Sequence, residues 1–341
     1  MVSRTFVFLL IISLLGAAAC SRPAEPPPAS PDKPLSQLTM NGPLIDARVT
    51  MVAAWEFPKN PNNDKTLDTS KLSNEIRRGF RLFTDTPAEA PHLAPGRMSC
   101  TNCHMNAGQR EKSLPLVAVS GMFPEYNRRS GRLFSLVDRI VDCFLRSENA
   151  TGANLSADQL PTTASPEVLA ISAYLTWLSK GSEMGTNPSW RGKNTIAAKA
   201  LLPMEKLDPA KGEAIYGERC ANCHGVDGQG VKIGDKAAAP LWGPSSWNDG
   251  AGAARVYTLA GMIRYSMPYM DPGHMTDEDA QHLAAFINSK PRPAFPFKDR
   301  DYRVEPLPVD AVYYKRPEAS PLTRHEATKP LATKLTKNPK A

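Results

Sequence analysis

The string Cys100-Thr101-Asn102-Cys103-His104 returns as Cys220-Ala221-Asn222-Cys223-His224. At the cysteine and histidine frequencies of this chain, a chance CxxCH is expected roughly 0.002 times. CxxCH is the attachment signal for a c-type haem. Two thiols at this spacing reach both haem vinyl groups, and the adjacent histidine is placed to ligate iron. A redox dithiol or half of a zinc site would account for the cysteines. Neither accounts for a histidine in the same place twice. The chain is therefore expected to carry two covalent haems c. Cys100, Cys103, Cys220 and Cys223 are the attachment points, and His104 and His224 the proximal iron ligands.

The flanks of the two motifs repeat as well. Before the first, KLSNEIRRGFRLF places apolar residues at 72, 76, 80 and 83, a helical stripe. Before the second, DPAKGEAIYGERCANCHG reads as a helix running into the cysteines. Downstream, 165–181 and 276–290 are helical segments, each opening on a Ser or Thr N-cap candidate with an acid in the first turn. Helix, CxxCH, loop, ligand segment and closing helix is the plan of a small cytochrome c domain. The expected fold is mainly α, with two tandem cytochrome c-type haem domains, and 341 residues suffice for both. Gly181, Gly185, Pro188 and Gly192 mark the boundary region. The expected domains are 45–190 and 208–292, joined by a linker at 191–207. Residues 293–341 read as an extended strap and a tail, with the composition of a disordered segment from about 318.

The N-terminus reads as an export signal. Arg4 supplies a positive start, Phe6 to Leu15 an uncharged apolar run, and Ala17 to Ala19 small residues before Cys20. The run is short for a membrane span. Cleavage before Cys20 would leave a lipid-bearing cysteine, as in bacterial lipoproteins; an Ala-x-Ala cut would leave a free thiol. Residues 1–19 are thus expected to be a signal peptide, and 20–44 a proline-rich, semi-rigid tether. Either cut places the protein in the periplasm, with the membrane reached only through a lipid on Cys20. The formal charge of +7 is no nucleic-acid signal. Much of it lies in the proline-diluted C-terminus (Lys315, Arg316, Arg324, Lys329, Lys334, Lys337, Lys340) without interleaved aromatics.

Each iron needs a ligand opposite its histidine, and that ligand sets potential and function. In the second domain Met267, followed by Pro268, lies 43 residues after His224. Met270 is its near rival. Met262 and Met275 are weaker candidates, and His274 or His282 would give bis-histidine ligation. His/Met ligation raises potential and suits an electron relay. The first domain has no Met-Pro loop. It has GRLFSLVDRIVDCFLRSENA, where Leu133, Leu136, Val137, Ile140 and Phe144 have helical spacing. There Arg139, Cys143 and Ser147 share one helix face, and Arg146 flanks them. Four cysteines attach haem and Cys20 belongs to the export signal, so Cys143 is the one left over. It is either a buried inert thiol or an axial thiolate kept deprotonated by iron and nearby arginines. The arginines themselves either bind an anion or pair with haem propionates.

With these residues in view, the chain resembles the dihaem c-type thiosulfate dehydrogenases, which couple two thiosulfates into tetrathionate. The resemblance covers about residues 45–315. It rests on both CxxCH motifs, PEYNRRSGR (124–132), RIVDCFLRS (139–147) and the Met267 loop. It implies that the first haem is the catalytic one, with His104 and Cys143 as axial ligands. It implies a substrate pocket of Arg129, Arg139 and Ser147, and a second haem held by His224 and Met267. An external cytochrome c or similar acceptor would then take the electrons. Two departures are Ala150, where relatives can have a pocket lysine, and Ser266, where some have a lysine beside the methionine. The competing readings are a non-catalytic dihaem carrier, a cysteine-ligated haem subunit of a sulfur-oxidising multienzyme system, and a dihaem peroxidase. An arginine face beside Cys143 is of no use to a plain carrier. The relay domain within the same chain favours self-contained catalysis over the multienzyme subunit.

Overall fold

The computed structural model describes residues 58–152, 155–233, 236–269 and 271–316. The expected signal peptide, Cys20, the expected tether, Met270 and residues beyond 316 lie outside the described residues. Among the described residues no helix is long and apolar enough to cross a membrane.

The first bundle is built on the helices Lys71–Thr84, Leu136–Arg146 and Pro166–Leu178. Ser70 opens the first of these by accepting from Ser73 N. Ser135 and Asp138 cap the second reciprocally, a capping box. Ile76, Phe80 and Phe83 turn inward, onto Ile171, Tyr174 and Leu178 of the closing helix. Each large apolar side chain buried this way contributes about 1.5–3 kcal/mol. Leu72, expected on the same stripe, is 66% exposed. It sits in the first turn, where Ser73 rather than Leu72 turns inward. Leu133 also departs from expectation. It belongs to a short antiparallel ladder, Glu125–Asn127 with Arg132–Phe134, and lies outside the helix that begins at Leu136.

The second bundle repeats the plan with Pro209–Arg219, Val256–Ser266 and Asp277–Ile287. Tyr216, Trp242 and Phe286 pack ring against ring at its centre. The helix before the second motif does not run unbroken into the cysteines. It ends at Arg219, Cys220 leaves helical geometry, and a single turn follows at Ala221–His224. Thr276 caps the closing helix through Asp279 N. Ser165 stands at the matching place in the first bundle, but its hydroxyl accepts from Thr162 N instead.

One contact recurs in both bundles. A Cβ added at Gly79 would stand 1.9 Å from the Ala170 carbonyl oxygen, and one at Gly212 would stand 2.2 Å from that of His282. Each glycine lets the opening helix cross the closing helix backbone to backbone. Gly79→Ala is expected to cost about 1–3 kcal/mol of stability through forced separation of the helices. An unchanged denaturant midpoint for the haem-loaded variant would disprove so close a crossing.

The described residues of both bundles fall in a single compact unit. Met98, just before the first motif, is buried in the core of the second bundle. Trp190 is buried in the first core and Ile196 in the second, so the connecting segment packs on both. The chain after Pro291 runs back across the molecule. Phe295 N donates to Asp249, Tyr302 N to the Arg129 carbonyl, and Asp310 accepts from Arg255. This segment therefore joins the second bundle to the arginine-bearing part of the first.

Candidate functional site

Both CxxCH histidines are held in the same way. His104 Nδ1 lies 2.6 Å from the Leu114 carbonyl oxygen, and His224 Nδ1 lies 2.8 Å from that of Ala239. A carbonyl partner fixes the proton on Nδ1 and leaves Nε2 as the free electron pair. Burial lowers both imidazole pKa values, that of His104 to about 4, so the rings are neutral and ready to ligate a metal. Cys100, Cys103, Cys220 and Cys223 form no disulfide, so all four remain available for thioether attachment. Cys103 and Cys220 pack against the same hydrophobic cluster, which brings the two attachment regions beside one core.

In the first bundle a cavity of about 300 Å³ opens between the motif and the Leu136–Arg146 helix. Its lining includes Cys100, Cys103 and His104 from the motif, and Arg139, Cys143 and Ser147 from the helix and its C-terminal cap. Helical geometry explains the second set, since residues four apart fall on one face. Two thiols, a neutral imidazole with its Nε2 free and a further sulfur in the same cavity lining are a donor set that fits a covalent haem. Cys143 itself is half-buried. Burial pushes its thiol pKa up, and Arg139, the leading opposing influence, does not overcome this. The arginines alone therefore do not hold a thiolate there.

Arg129 is placed differently from Arg139. Its guanidinium donates to Asp142 and, at 2.8 Å, to the Gly250 carbonyl oxygen. It stands outside the cavity lining. Asp142 is the hub of this cluster. Its Oδ1 accepts from Arg146 Nε at 2.6 Å, and its Oδ2 also lies 3.7 Å from Arg139 Nη1. Arg146 in turn forks onto Asp301 at 2.7 and 2.8 Å and covers the Phe295 ring. The structure thus brings Arg139, Cys143 and Ser147 to the cavity and makes Arg129 part of the scaffold behind them.

Three cavity residues escaped sequence reasoning. Arg191 lines the cavity and pairs with Glu125. Glu148 is 2% exposed, and its Oε2 has no hydrogen-bond partner among the described residues. Burial raises that carboxyl to about 8. Its place directly after Ser147 was the available signal. For Arg191 and Glu125 there was none, because a turn brings in the first and a short strand pair the second.

In the second bundle Met267 caps the Val256–Ser266 helix, donating its N–H to the Ile263 carbonyl, and is half-buried. Of its rivals, Met270 lies outside the described residues, while Met275, His274 and His282 have other surroundings. Met275 is core, 3% exposed. His274 is exposed and paired with Asp271. His282 accepts from Asp208 N at Nδ1 and meets Glu278 at Nε2.

Two helical bundles, each with a CxxCH turn and a tautomer-fixed histidine, define a dihaem c-type cytochrome with one covalent haem per domain. Residues 92–184 match the family profile described as SoxA/TsdA, cytochrome c domain. Residues 207–287 match that of cytochrome C oxidase, cbb3-type, subunit III. The thiosulfate dehydrogenase of Stutzerimonas stutzeri (strain A1501) is 36% identical over 71% of this chain and 76% of its own length. That of Allochromatium vinosum is 37% identical over 67% and 82%. The chain belongs to the thiosulfate dehydrogenase family. Among solved structures it is similar to the as-isolated thiosulfate dehydrogenase (TsdBA) of Marichromatium purpuratum, with a TM-score of 0.62 and 34% identity. That match covers 72% of this chain and spans about half, 51%, of the solved one.

Proposed function

We propose that this chain oxidises two thiosulfates to one tetrathionate in the first-domain cavity and delivers the electrons through the second domain to an external cytochrome or similar acceptor. The observation that carries this reading is the cavity lining itself, which Arg139, Cys143 and Ser147 share with His104. His104 and Cys143 would hold the iron of the first haem, and His224 and Met267 that of the second. When bound, each haem accepts one electron, so the pair accommodates the two released per tetrathionate.

Thiosulfate is a dianion, and joining two of them is opposed by charge. Two unit charges about 4 Å apart repel by about 1 kcal/mol in water and several-fold more in a low-dielectric cavity. Arg139 presents fixed N–H donors into that cavity and offsets the repulsion. Ser147 adds a hydroxyl on the same face. Arg129 and Arg146 act behind them, holding Asp142 and so the helix that carries Cys143. The Cys143 sulfur forms a bond to the terminal sulfur of the first thiosulfate as two electrons leave. The second thiosulfate attacks that sulfur, the bond to Cys143 breaks, and tetrathionate departs with its charge of −2. Cys143 recovers its original state, and no net proton is consumed. The same steps reversed reduce tetrathionate. We place the activity in the periplasm, with Cys20 as the membrane tether.

The test is thiosulfate-dependent reduction of ferricyanide by the haem-loaded protein, with tetrathionate quantified. One tetrathionate per two electrons is the expected result; redox-active haems without turnover would reject it. Arg139→Ala is expected to lower kcat/KM for thiosulfate by roughly 10- to 100-fold, the loss of a charged hydrogen-bond partner. An unchanged kcat/KM would remove Arg139 from the substrate site.

A further inference from the structure

The loop that follows the first CxxCH motif serves both haem ligands. Its Leu114 carbonyl holds His104 Nδ1. Its other polar groups turn to the second bundle and grip the residues on either side of Met267. The Ser266 hydroxyl donates to the Lys112 carbonyl at 3.1 Å. Arg110 Nη2 donates to the Tyr269 carbonyl at 3.1 Å, and its guanidinium lies 4.2 Å above the Tyr269 ring. The Tyr269 hydroxyl donates to Asn106 Oδ1 at 3.2 Å. These contacts are dry: Arg110 is 1% exposed, Asn106 5% and Ser266 fully buried. Burial acts against the Arg110 charge and lowers its pKa, while Tyr269 opposes that shift.

We propose that Arg110 is a positioning residue for the second haem: with Asn106 and the Lys112 carbonyl it clamps Ser266 and Tyr269, and so sets where Met267 meets the iron. The clamp deepens the ligand assignment made above and rests on Met267 being that ligand. A buried hydrogen bond strengthened by charge and a cation–π contact are both well suited to hold a loop in one geometry. Bond directions at an axial ligand depend on such outer contacts. Because the same ten-residue loop fixes His104, the ligand geometries of the two haems share one mechanical support. A rigid, shared support keeps the methionine bound when the iron is oxidised, the state in which a thioether is most readily displaced.

The experiment uses the full-length protein with both haems attached. Its readout is the methionine-to-iron charge-transfer band of the ferric second haem during titration with imidazole. Met267→Gly should abolish that band; its persistence would overturn the ligand assignment and the clamp together. Given that loss, Arg110→Met should make imidazole displace Met267 at about tenfold lower concentration, as expected for one lost charged hydrogen bond. Arg110→Lys, which restores one donor to the Tyr269 carbonyl, should recover part of this. Tyr269→Leu keeps the carbonyl, removes the ring and hydroxyl, and should fall between wild type and Arg110→Met; it carries the test if Arg110→Met does not fold. Wild-type imidazole titrations in Arg110→Met, or in Tyr269→Leu where Arg110→Met does not fold, would overturn the clamp while leaving Met267 as ligand.

Discussion

Replacing Cys143 by glycine is expected to reduce thiosulfate oxidation by on the order of 10³-fold or more, the scale reached when a group touching the reacting atoms is removed. Both haems should stay attached, because Cys143 takes no part in either CxxCH motif. The helix should survive as well. Cys143 is held within it by backbone bonds, and its neighbours Ile140 and Phe144 supply the core contacts. The first haem should lose its thiolate spectrum and rise in potential, since a thiolate pushes electron density onto iron. The second haem should be unaffected. The measurement is steady-state turnover together with haem content and separate titration of the two haems. Full activity in a correctly loaded variant would remove Cys143 from the chemistry. Unchanged spectra with lost activity would keep it as a reacting group and deny it the iron.

The second large effect is structural and centres on Asp142. This carboxylate lies among Arg129, Arg139 and Arg146, with its side chain 11% exposed and that of Arg146 only 6%. Breaking a buried ion pair by deleting one partner leaves the other charge uncompensated, at a cost of about 3–5 kcal/mol. Asp142→Asn is expected to lose stability of that order in chemical denaturation of the haem-loaded protein. The pH dependence follows from the same contacts. Burial pushes the Asp142 pKa up, but Arg129, Arg146 and Arg139 outweigh it and hold the folded value below the ordinary one. A depressed pKa means the folded state binds this proton less readily than the unfolded chain. Its stabilisation is therefore complete above the unfolded value of about 4 and fades as pH falls through the folded value. The gap between wild type and Asp142→Asn should be widest near neutrality and close in strong acid. A gap that stayed constant down to acid pH would show that Asp142 is not ionised in the native protein.

Asp142 also illustrates what could be read beforehand. The helix around it was legible, because Ile140 and Phe144 recur at helical spacing and Arg139, Cys143 and Ser147 fall on one face. Its ionic role was not, since the partner of Arg146 on the far side is Asp301, 155 residues along the chain. Arg129 was legible as an arginine near the site, but not as one already bound to Asp142 and Gly250. Leu72 and Leu133 fitted helical stripes on spacing alone. Spacing carries no information on the exposure of Leu72 or on the strand pair that takes Leu133.

What the sequence determined by itself is the covalent and local chemistry. Two CxxCH strings specify two haems because thioether attachment and proximal ligation need only five consecutive residues. Apolar periodicity and caps specify the helices that carry them, for the same reason of short range. The tertiary structure decided everything that depends on residues far apart in the chain. It brought Cys143 and His104 to one cavity together with Arg191, and bound Arg129 to Asp142 and Gly250 outside that lining. It also laid the loop after His104 against Met267, joining residues 106–112 to 266–269. Which distant side chains meet is settled by how two helical bundles pack and where the returning strap crosses them, and no local pattern encodes that.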